Sequence, residues 1–149
     1  MTIFAKNKHA HYDYAIISRF EAGLVLSGQE VKSVKTGHVS LKGAFITVRG
    51  NELFLTNAFI PKYRHAGSLT DYDPTRPRKI LLHRREIRSL IGKARSAGLT
   101  IIPLSVYTKG RYVKVECALA RGKKIHDKRE TIRKRDTDRS VQRALRGRV

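Results

Sequence analysis

Alternation of apolar and polar residues predicts two β-hairpins. In the first, a two-residue turn at Gly50-Asn51 would place alternate apolar side chains of both strands on one shared face. The predicted partners are Val48 with Leu53 and Ile46 with Leu55. In the second, the turn is at Lys109-Gly110, and Pro103, which cannot donate to a ladder, indicates an edge or a bulge. Its predicted partners are Val106 with Val113, Leu104 with Val115 and Ile102 with Cys117, with Tyr107 opposite Tyr112 on the other face.

Helical spacing predicts two helices. Residues 83–98 place apolar side chains on one face among arginines and lysines, and Gly98 can end this helix. The apolar positions are Ile87, Leu90, Ile91 and Ala94. A shorter helix follows Ser27, which can form a capping box with Glu30, and closes at Gly37.

A long strand is predicted over 12–26, with a bend or bulge at 21–23 where the alternation breaks. Residues 61–79 show no period and are predicted to form a long loop. The order strand, short helix, hairpin, helix, hairpin matches the connectivity of an OB-type Greek-key barrel. The predicted fold class is therefore mainly β with short helices, an OB-like β-barrel.

Charge divides the chain into two parts. The sequence has 149 residues, with 32 Lys and Arg against 12 Asp and Glu, for a net charge of +20. A nucleic acid or an anionic membrane is the leading partner for such a chain, and an acidic protein surface is a weaker third. Residues 121–149 hold 12 of the basic residues and only six apolar ones, so we expect this tail to be disordered when free. Residues 1–120 then form the folded domain.

Membrane insertion, secretion, disulfide bonding, metal binding and catalysis find little support in the sequence. No apolar run approaches the roughly 20 residues needed to span a bilayer, and no signal core is visible, so a cytoplasmic protein is expected. The single Cys117 cannot form an intramolecular disulfide, and no phosphate-binding loop or metal-ligand spacing occurs. Asp71 and Asp73 suit turn chemistry better than acid/base catalysis. Glu21 is either a salt-bridge partner or an acceptor for an RNA base edge.

Three stretches carry a resemblance to a known family. They are FEAGLVLSGQEVKSVKTGHVSLKGAF at 20–45, the segment 73–124 that begins DPTRPRK and ends ALARGKK, and HDKRETIRKRD at 126–136. In these stretches the chain closely resembles SmpB (small protein B), the bacterial partner of transfer-messenger RNA. The resemblance implies a non-enzymatic RNA-binding adaptor that delivers this RNA to stalled ribosomes for trans-translation.

The resemblance also implies partners and site residues. The barrel would grip the tRNA-like domain through Asn7, Lys8, Tyr12, Glu21, Leu81 and Lys114. The tail would become helical in the empty messenger channel and act at the decoding centre of the small subunit, where His126 would stack. The other tail residues implied are Asp127, Lys128, Arg129, Arg133, Lys134, Arg135, Ala144 and Leu145. Elongation factor Tu would be met only through the RNA, and a monomer without cofactor or metal is expected.

One departure and two rival functions stay open. Some family members have a Trp in the tail where this chain has Thr137, so stacking at that position is not expected here. Ala144 is small for the distal position that it occupies, so the distal contact could be weaker. The rivals are a ribosomal or general single-strand RNA-binding protein and an RNA-processing nuclease, which would need a carboxylate or histidine cluster.

Overall fold

The secondary structure is mainly β. The structure, a computed structural model, describes residues 1–65, 71–123, 129, 132–136 and 139. The strands are β1 (Thr2–Lys6), β2 (Tyr14–Leu24), β3 (Phe45–Arg49), β4 (Glu52–Thr56), β5 (Arg78–Leu81), β6 (Thr100–Lys109) and β7 (Tyr112–Gly122). The helices are α1 (Ala10–Asp13), α2 (Gly28–Lys35) and α3 (Arg84–Ala97). No helix within these described residues is long and apolar enough to cross a membrane.

The seven strands form one antiparallel sheet in the order β1-β6-β7-β2-β5-β4-β3. Strand β2 lies between β7 and β5, so strands far apart in the sequence are neighbours. Residues of the edge strand β3 also approach β6, which gives the sheet a curled, barrel-like form. The predicted fold class is confirmed, and the five predicted strands are joined by β1 and β5. Both added strands are short, with five and four residues, and neither shows clear alternation.

The hairpin predictions had different outcomes. The β3–β4 hairpin has the predicted register, with Val48 opposite Leu53. The predicted β6–β7 register is wrong, because Lys109 pairs with Tyr112 and the turn residues are therefore Gly110 and Arg111. Gly110 has a φ of 62°, which glycine adopts without steric cost. The observed partners near the turn are Val106 with Val115, Tyr107 with Lys114 and Thr108 with Val113.

The misplaced turn still leaves the side chains near it on their predicted faces. Near the turn the pairing differs from the prediction by two residues, and side chains two residues apart on a strand point to the same side. The bulge indicated by Pro103 is confirmed, since the β6–β7 register shifts between Pro103 and Ser105. Of the bend or bulge predicted at 21–23, the bulge is wrong, because β2 pairs continuously with β7 there and its register shifts between Ile16 and Ser18 instead. At Gly23 the strand β2 also begins to pair with β5, while it still pairs with β7.

Both predicted helices are present. At the start of α2, Ser27 Oγ accepts a hydrogen bond from the Glu30 backbone at 3.2 Å, and Glu30 Oε1 accepts one from the Ser27 backbone at 3.0 Å. This is the predicted capping box. Helix α3 ends at Gly98, whose φ of 64° is left-handed. The helix buries Ile87 and presents its arginines outward.

A buried ion pair joins α2 to β5. The loop predicted at 61–79 is therefore too long by two residues, since Arg78 and Lys79 belong to β5. Arg78, the first residue of β5, is 0% exposed, and Glu30 is 1% exposed. Arg78 Nε donates to Glu30 Oε2 at 2.8 Å, and Arg78 Nη1 donates to the Ala58 carbonyl at 2.7 Å. Tyr72 Oη donates to the Ile60 carbonyl at 2.6 Å. The described parts of this loop are therefore tied to the domain.

The end of β7 lies close to the predicted domain boundary. The strand continues to Gly122, and the Lys123 backbone N–H donates to the Asp13 carbonyl at 2.9 Å. In the tail, Arg129, residues 132–136 and Arg139 have helical backbone and exposed side chains. The predicted tail residues outside the described residues are His126, Asp127, Lys128, Ala144 and Leu145. The predicted disorder of the free tail stays a prediction.

Candidate nucleic-acid interface

Three of the predicted RNA-binding residues meet where β5, β2 and β7 run side by side. Gly23 of β2 lies opposite Leu81 of β5 and opposite Lys114 of β7. Glu21, two residues before Gly23, points to the same side of the sheet because strand side chains alternate. We call the side that carries Glu21, Leu81, Tyr112 and Lys114 the outer face. Leu81 is 51% exposed, which is unusual for a large apolar side chain in a central strand.

Glycine at position 23 permits this arrangement. A Cβ atom at Gly23 would lie 3.2 Å from Leu81 Cβ, closer than most carbon contacts. A side chain there would also stand between Leu81 and Lys114, its partners on either side. The glycine therefore leaves a shallow floor on the outer face, flanked by an apolar side chain and a cation.

Glu21 is held by neighbours on β6. Tyr107 Oη donates a hydrogen bond to Glu21 Oε2, and Lys109 Nζ lies 3.5 Å from Glu21 Oε1. The hydrogen bond from Tyr107 lowers the pKa of Glu21, and Lys109 and Lys114 act in the same direction. Burial and the Glu21 carboxylate raise the pKa of Tyr107. Glu21 is therefore an ionised, locally paired carboxylate, which agrees with the salt-bridge alternative and leaves the base-edge role untested.

Cations and aromatic rings surround this point. The Tyr112 ring is 59% exposed, with Arg111 Cζ at 5.6 Å and Lys114 Nζ at 5.8 Å from its centroid. Further along the sheet, Arg49 Cζ lies 5.5 Å from the Phe54 ring centroid. Aromatic rings beside cations can contact bases and phosphates together. The outer face thus has the chemistry of a nucleic-acid-binding surface.

The second predicted group lies beside the middle of β6. Asn7 Nδ2 donates to the Pro103 carbonyl at 2.9 Å, and the Asn7 backbone N–H donates to the Leu104 carbonyl at 2.7 Å. Tyr107 lies four positions after Pro103 along the strand, or about 13 Å away. Lys8 is exposed and Tyr12 is half-buried in α1. The structure therefore does not bring this group together with Glu21, Leu81 and Lys114.

Of the predicted tail residues, four are described. Arg129, Arg133, Lys134 and Arg135 have exposed side chains. Lys134 lines a cleft together with His11, Ile17 and Lys123, close to the N-terminal group and the bulge of β2.

The pattern of residues along the chain carries only part of the signal for this surface. Tyr107 and Tyr112 were predicted to face away from the apolar side, but nothing in the pattern shows that Tyr107 reaches Glu21. The pairing of Arg78 with Glu30 had no signal either, because the residues are 48 apart in sequence. Long-range hydrogen bonds of this kind follow from the sheet order and not from local pattern.

The described residues contain no group of side chains suited to a metal ion. Among residues 1–65, 71–123 and the described tail positions, no three His, Cys, Asp or Glu side chains form a group that could hold a metal ion. Burial raises the pKa of Cys117 to about 12, so its thiol is protonated and unreactive at neutral pH. Asp73 Oδ1 accepts hydrogen bonds from the backbone and hydroxyl of Thr75, both at 3.0 Å, which confirms its turn role.

The fold and the outer face define a class: a basic, mainly β protein with a sheet surface suited to nucleic acid. The sequence model of one family, described as SmpB protein, matches residues 4–147. The chain therefore belongs to the SmpB family.

Similar proteins agree with this assignment. The chain is 50% identical over 149 residues to the SsrA-binding protein of Chloroflexus aggregans, covering 100% of this chain and 94% of the relative. It is 54% identical over 143 residues to the SsrA-binding protein of Mycobacterium leprae, covering 96% and 89%. A solved structure described as "tmRNA-SmpB: a journey to the center of the bacterial ribosome" matches with a TM-score of 0.66 and 43% identity, covering 86% of this chain and 93% of that chain.

Proposed function

We propose that this protein binds the tRNA-like domain of transfer-messenger RNA through its outer face and delivers that RNA to stalled ribosomes for trans-translation. The observation that carries the proposal is the meeting of Glu21, Leu81 and Lys114 around Gly23. The net charge of +20 supports contact with a polyanion, and the names of the relatives support this RNA in particular.

The outer face recognises shape more than base sequence. Lys114 and Arg111 supply phosphate contacts, Leu81 and Tyr112 supply a surface for sugar or base, and Glu21 fixes the position of Lys109 through their 3.5 Å contact. The Asn7, Lys8 and Tyr12 group makes a second contact with the same RNA. The protein performs no covalent step in this proposal.

The tail acts after RNA binding. It probes the vacant messenger channel of the small subunit and folds there as a helix, with His126 stacking in the decoding centre. The helical backbone of residues 132–136 supports a helix in this part of the tail. Binding of so basic a segment to ribosomal RNA offsets the entropy of ordering it. We place the domain boundary after Lys123, which is hydrogen-bonded to Asp13.

The remaining partners follow from this role. Elongation factor Tu is met through the RNA and not through a surface of this chain. The protein works as a monomer in the cytosol.

A pair of double variants tests the proposal. Leu81→Ala with Lys114→Ala removes the apolar and cationic sides of the outer face. Val48→Ala with Lys93→Ala is the matched control, because Val48 is 46% exposed on β3 and Lys93 is exposed on α3. We expect the first variant to lose affinity for the tRNA-like domain by about tenfold, and the control to stay within about twofold. Equal losses would show that bulk charge, and not this face, binds the RNA.

A further inference from the structure

A cleft of about 540 Å³ lies between the C-terminal end of α2 and residues 59–65. It shares no residue with the outer face or with the Asn7, Lys8 and Tyr12 group. Its volume is within the range that holds a small organic ligand. The walls combine aromatic rings with hydroxyl and cationic side chains, so the cleft can contact a ligand that is both planar and charged.

Four side chains with aromatic rings line the cleft, namely His38, Phe59, Tyr63 and His65. Phe59 is 43% exposed, and its backbone is fixed by two hydrogen bonds with Ser40, both at 2.9 Å. The Tyr63 and His65 rings stand edge to face, with centroids 5.5 Å apart and planes at 72°. An exposed phenyl ring on a fixed backbone offers a flat surface for stacking at little cost in side-chain entropy.

Hydrogen bonds attach residues 60 and 61, next to Phe59, to α2 and to residues 72–74. Ser33 Oγ of α2 donates to the Pro61 carbonyl at 2.5 Å. The Ile60 backbone N–H donates to the Pro74 carbonyl at 3.0 Å, and the Ile60 carbonyl accepts from Tyr72 Oη. Residues 59–61 are therefore anchored on both sides, which fixes the Phe59 wall of the cleft before any ligand arrives.

The charges around the cleft have one sign. Lys62 and Arg64 line it with exposed side chains, and Lys32 Nζ lies 5.8 Å from the Tyr63 ring centroid. Within the described part of the chain, no carboxylate lines the cleft and neither Lys62 nor Arg64 forms an ion pair. The cleft therefore favours an anion beside the rings.

We propose that this cleft binds an unpaired nucleotide of RNA, with the base stacked on Phe59 or Tyr63 and the phosphate held by Lys62 and Arg64. A nucleotide supplies both a planar base and an anion, whereas an acidic peptide supplies only the anion. This inference rests on the proposed function of the chain as an RNA-binding protein. It adds a base-stacking site that is separate from the outer face.

Tryptophan substitution tests the stacking. The chain has no Trp, so the indole introduced by Phe59→Trp is a unique fluorophore. Val48→Trp is the control, since Val48 is 46% exposed on β3 and lies outside the cleft. We expect a single-stranded oligoadenylate of about seven nucleotides to quench the first indole by about half and the second very little. Equal quenching of both, or of neither, overturns the proposal.

A second pair of variants measures affinity for the same oligoadenylate. Phe59→Ala with Lys62→Ala should weaken binding about tenfold, and Val48→Ala with Lys93→Ala should stay within about twofold. All four positions are exposed, and thermal unfolding checks that both variants fold. Equal losses overturn the proposal, as does quenching of the indole at position 59 by polyglutamate but not by RNA, which would indicate an acidic protein ligand.

Parallel binding to the tRNA-like domain separates this inference from the proposed function. If the wild-type chain binds that domain but the cleft variant and its control behave alike with oligoadenylate, only the cleft inference fails. If the wild-type chain does not bind the domain, the proposed function fails, and the two indoles still report whether the cleft stacks a base.

Discussion

At the scale of single residues, the Glu30 carboxylate has two structural roles. It completes the capping box of α2 and also neutralises the buried guanidinium of Arg78. Burial raises the pKa of Glu30, but hydrogen bonds from Arg76, the Ser27 backbone and Arg78 outweigh it, so the pKa is lowered overall. A charge pair in this position stabilises the fold only while both partners are present.

Glu30→Ala should therefore destabilise the protein by about 3–5 kcal/mol, because it leaves the Arg78 charge buried without a partner. The control is Glu52→Ala, which breaks the exposed 3.0 Å pair with Lys79 and should cost less than about 1 kcal/mol. Urea unfolding measures both. Since folding lowers the pKa of Glu30 from 4.5, its stabilisation is complete above that pH and is lost as the pH falls through the folded-state value. Equal destabilisation by the two variants would contradict this role.

Tyr107→Phe tests the hydrogen bond that orients Glu21. The Tyr107 hydroxyl is the largest cause of the lowered pKa of Glu21, so its removal should move that pKa up towards 4.5. Carboxyl chemical shifts followed against pH measure the change, with Asp73, whose pKa is lowered by hydrogen bonds from Thr75, as an internal reference. An unchanged Glu21 pKa would show that Lys109 and Lys114 set it instead.

At the scale of elements, the outer face depends on how closely β2 and β5 approach. Gly23→Ala places a methyl group 3.2 Å from Leu81 Cβ, so Leu81 or its strand must shift. We expect a loss of about 1–2 kcal/mol in stability and a several-fold loss of affinity for the tRNA-like domain. The control is Gly92→Ala in α3, where nothing lies within 4 Å and a gain of about 0.5–1 kcal/mol is expected. If Gly23→Ala leaves the RNA affinity unchanged, the close approach of β2 and β5 does not contribute to RNA binding.

Elements with a strong local signal were predictable, and those set by the sheet were not. The capping box at Ser27, the αL glycine at Gly98 and the Gly50-Asn51 turn are local, and all three are confirmed. The β6–β7 turn was misplaced because Lys109-Gly110 and Gly110-Arg111 are both acceptable turns and both keep the apolar face inward. The position of the β2 bulge depends on pairing with β7, which no local pattern reveals.

The same distinction applies to the candidate site. Glu21, Leu81 and Lys114 were named from the family resemblance, and nothing in their spacing showed that they would converge on Gly23. Their meeting follows from the sheet order, in which β2 lies between β5 and β7. The cleft beside Phe59 was missed because its residues come from a helix end and a segment without a period.

At the scale of the whole molecule, the proposed function assigns RNA binding to the folded basic domain and a later step on the ribosome to the basic tail. Replacing Asp127, Lys128 and Arg129 with Ala should leave binding to the tRNA-like domain within about twofold and abolish peptide tagging on stalled ribosomes. The proposed reason is that these residues act on the ribosome after the RNA is bound. A tagging assay with purified components measures this. Intact tagging by the triple variant would refute the proposed role of the tail.

A salt series of RNA binding decides between recognition by the domain and attraction by charge alone. The full chain and residues 1–123, which keep β7 and the Lys123 contact intact, are each titrated with the tRNA-like domain and with an ordinary tRNA. We predict that both proteins prefer the tRNA-like domain at moderate salt, and that removing the tail lowers the salt dependence more than the preference. Loss of the preference in residues 1–123, or equal binding of both RNAs by the full chain, would contradict recognition by the outer face.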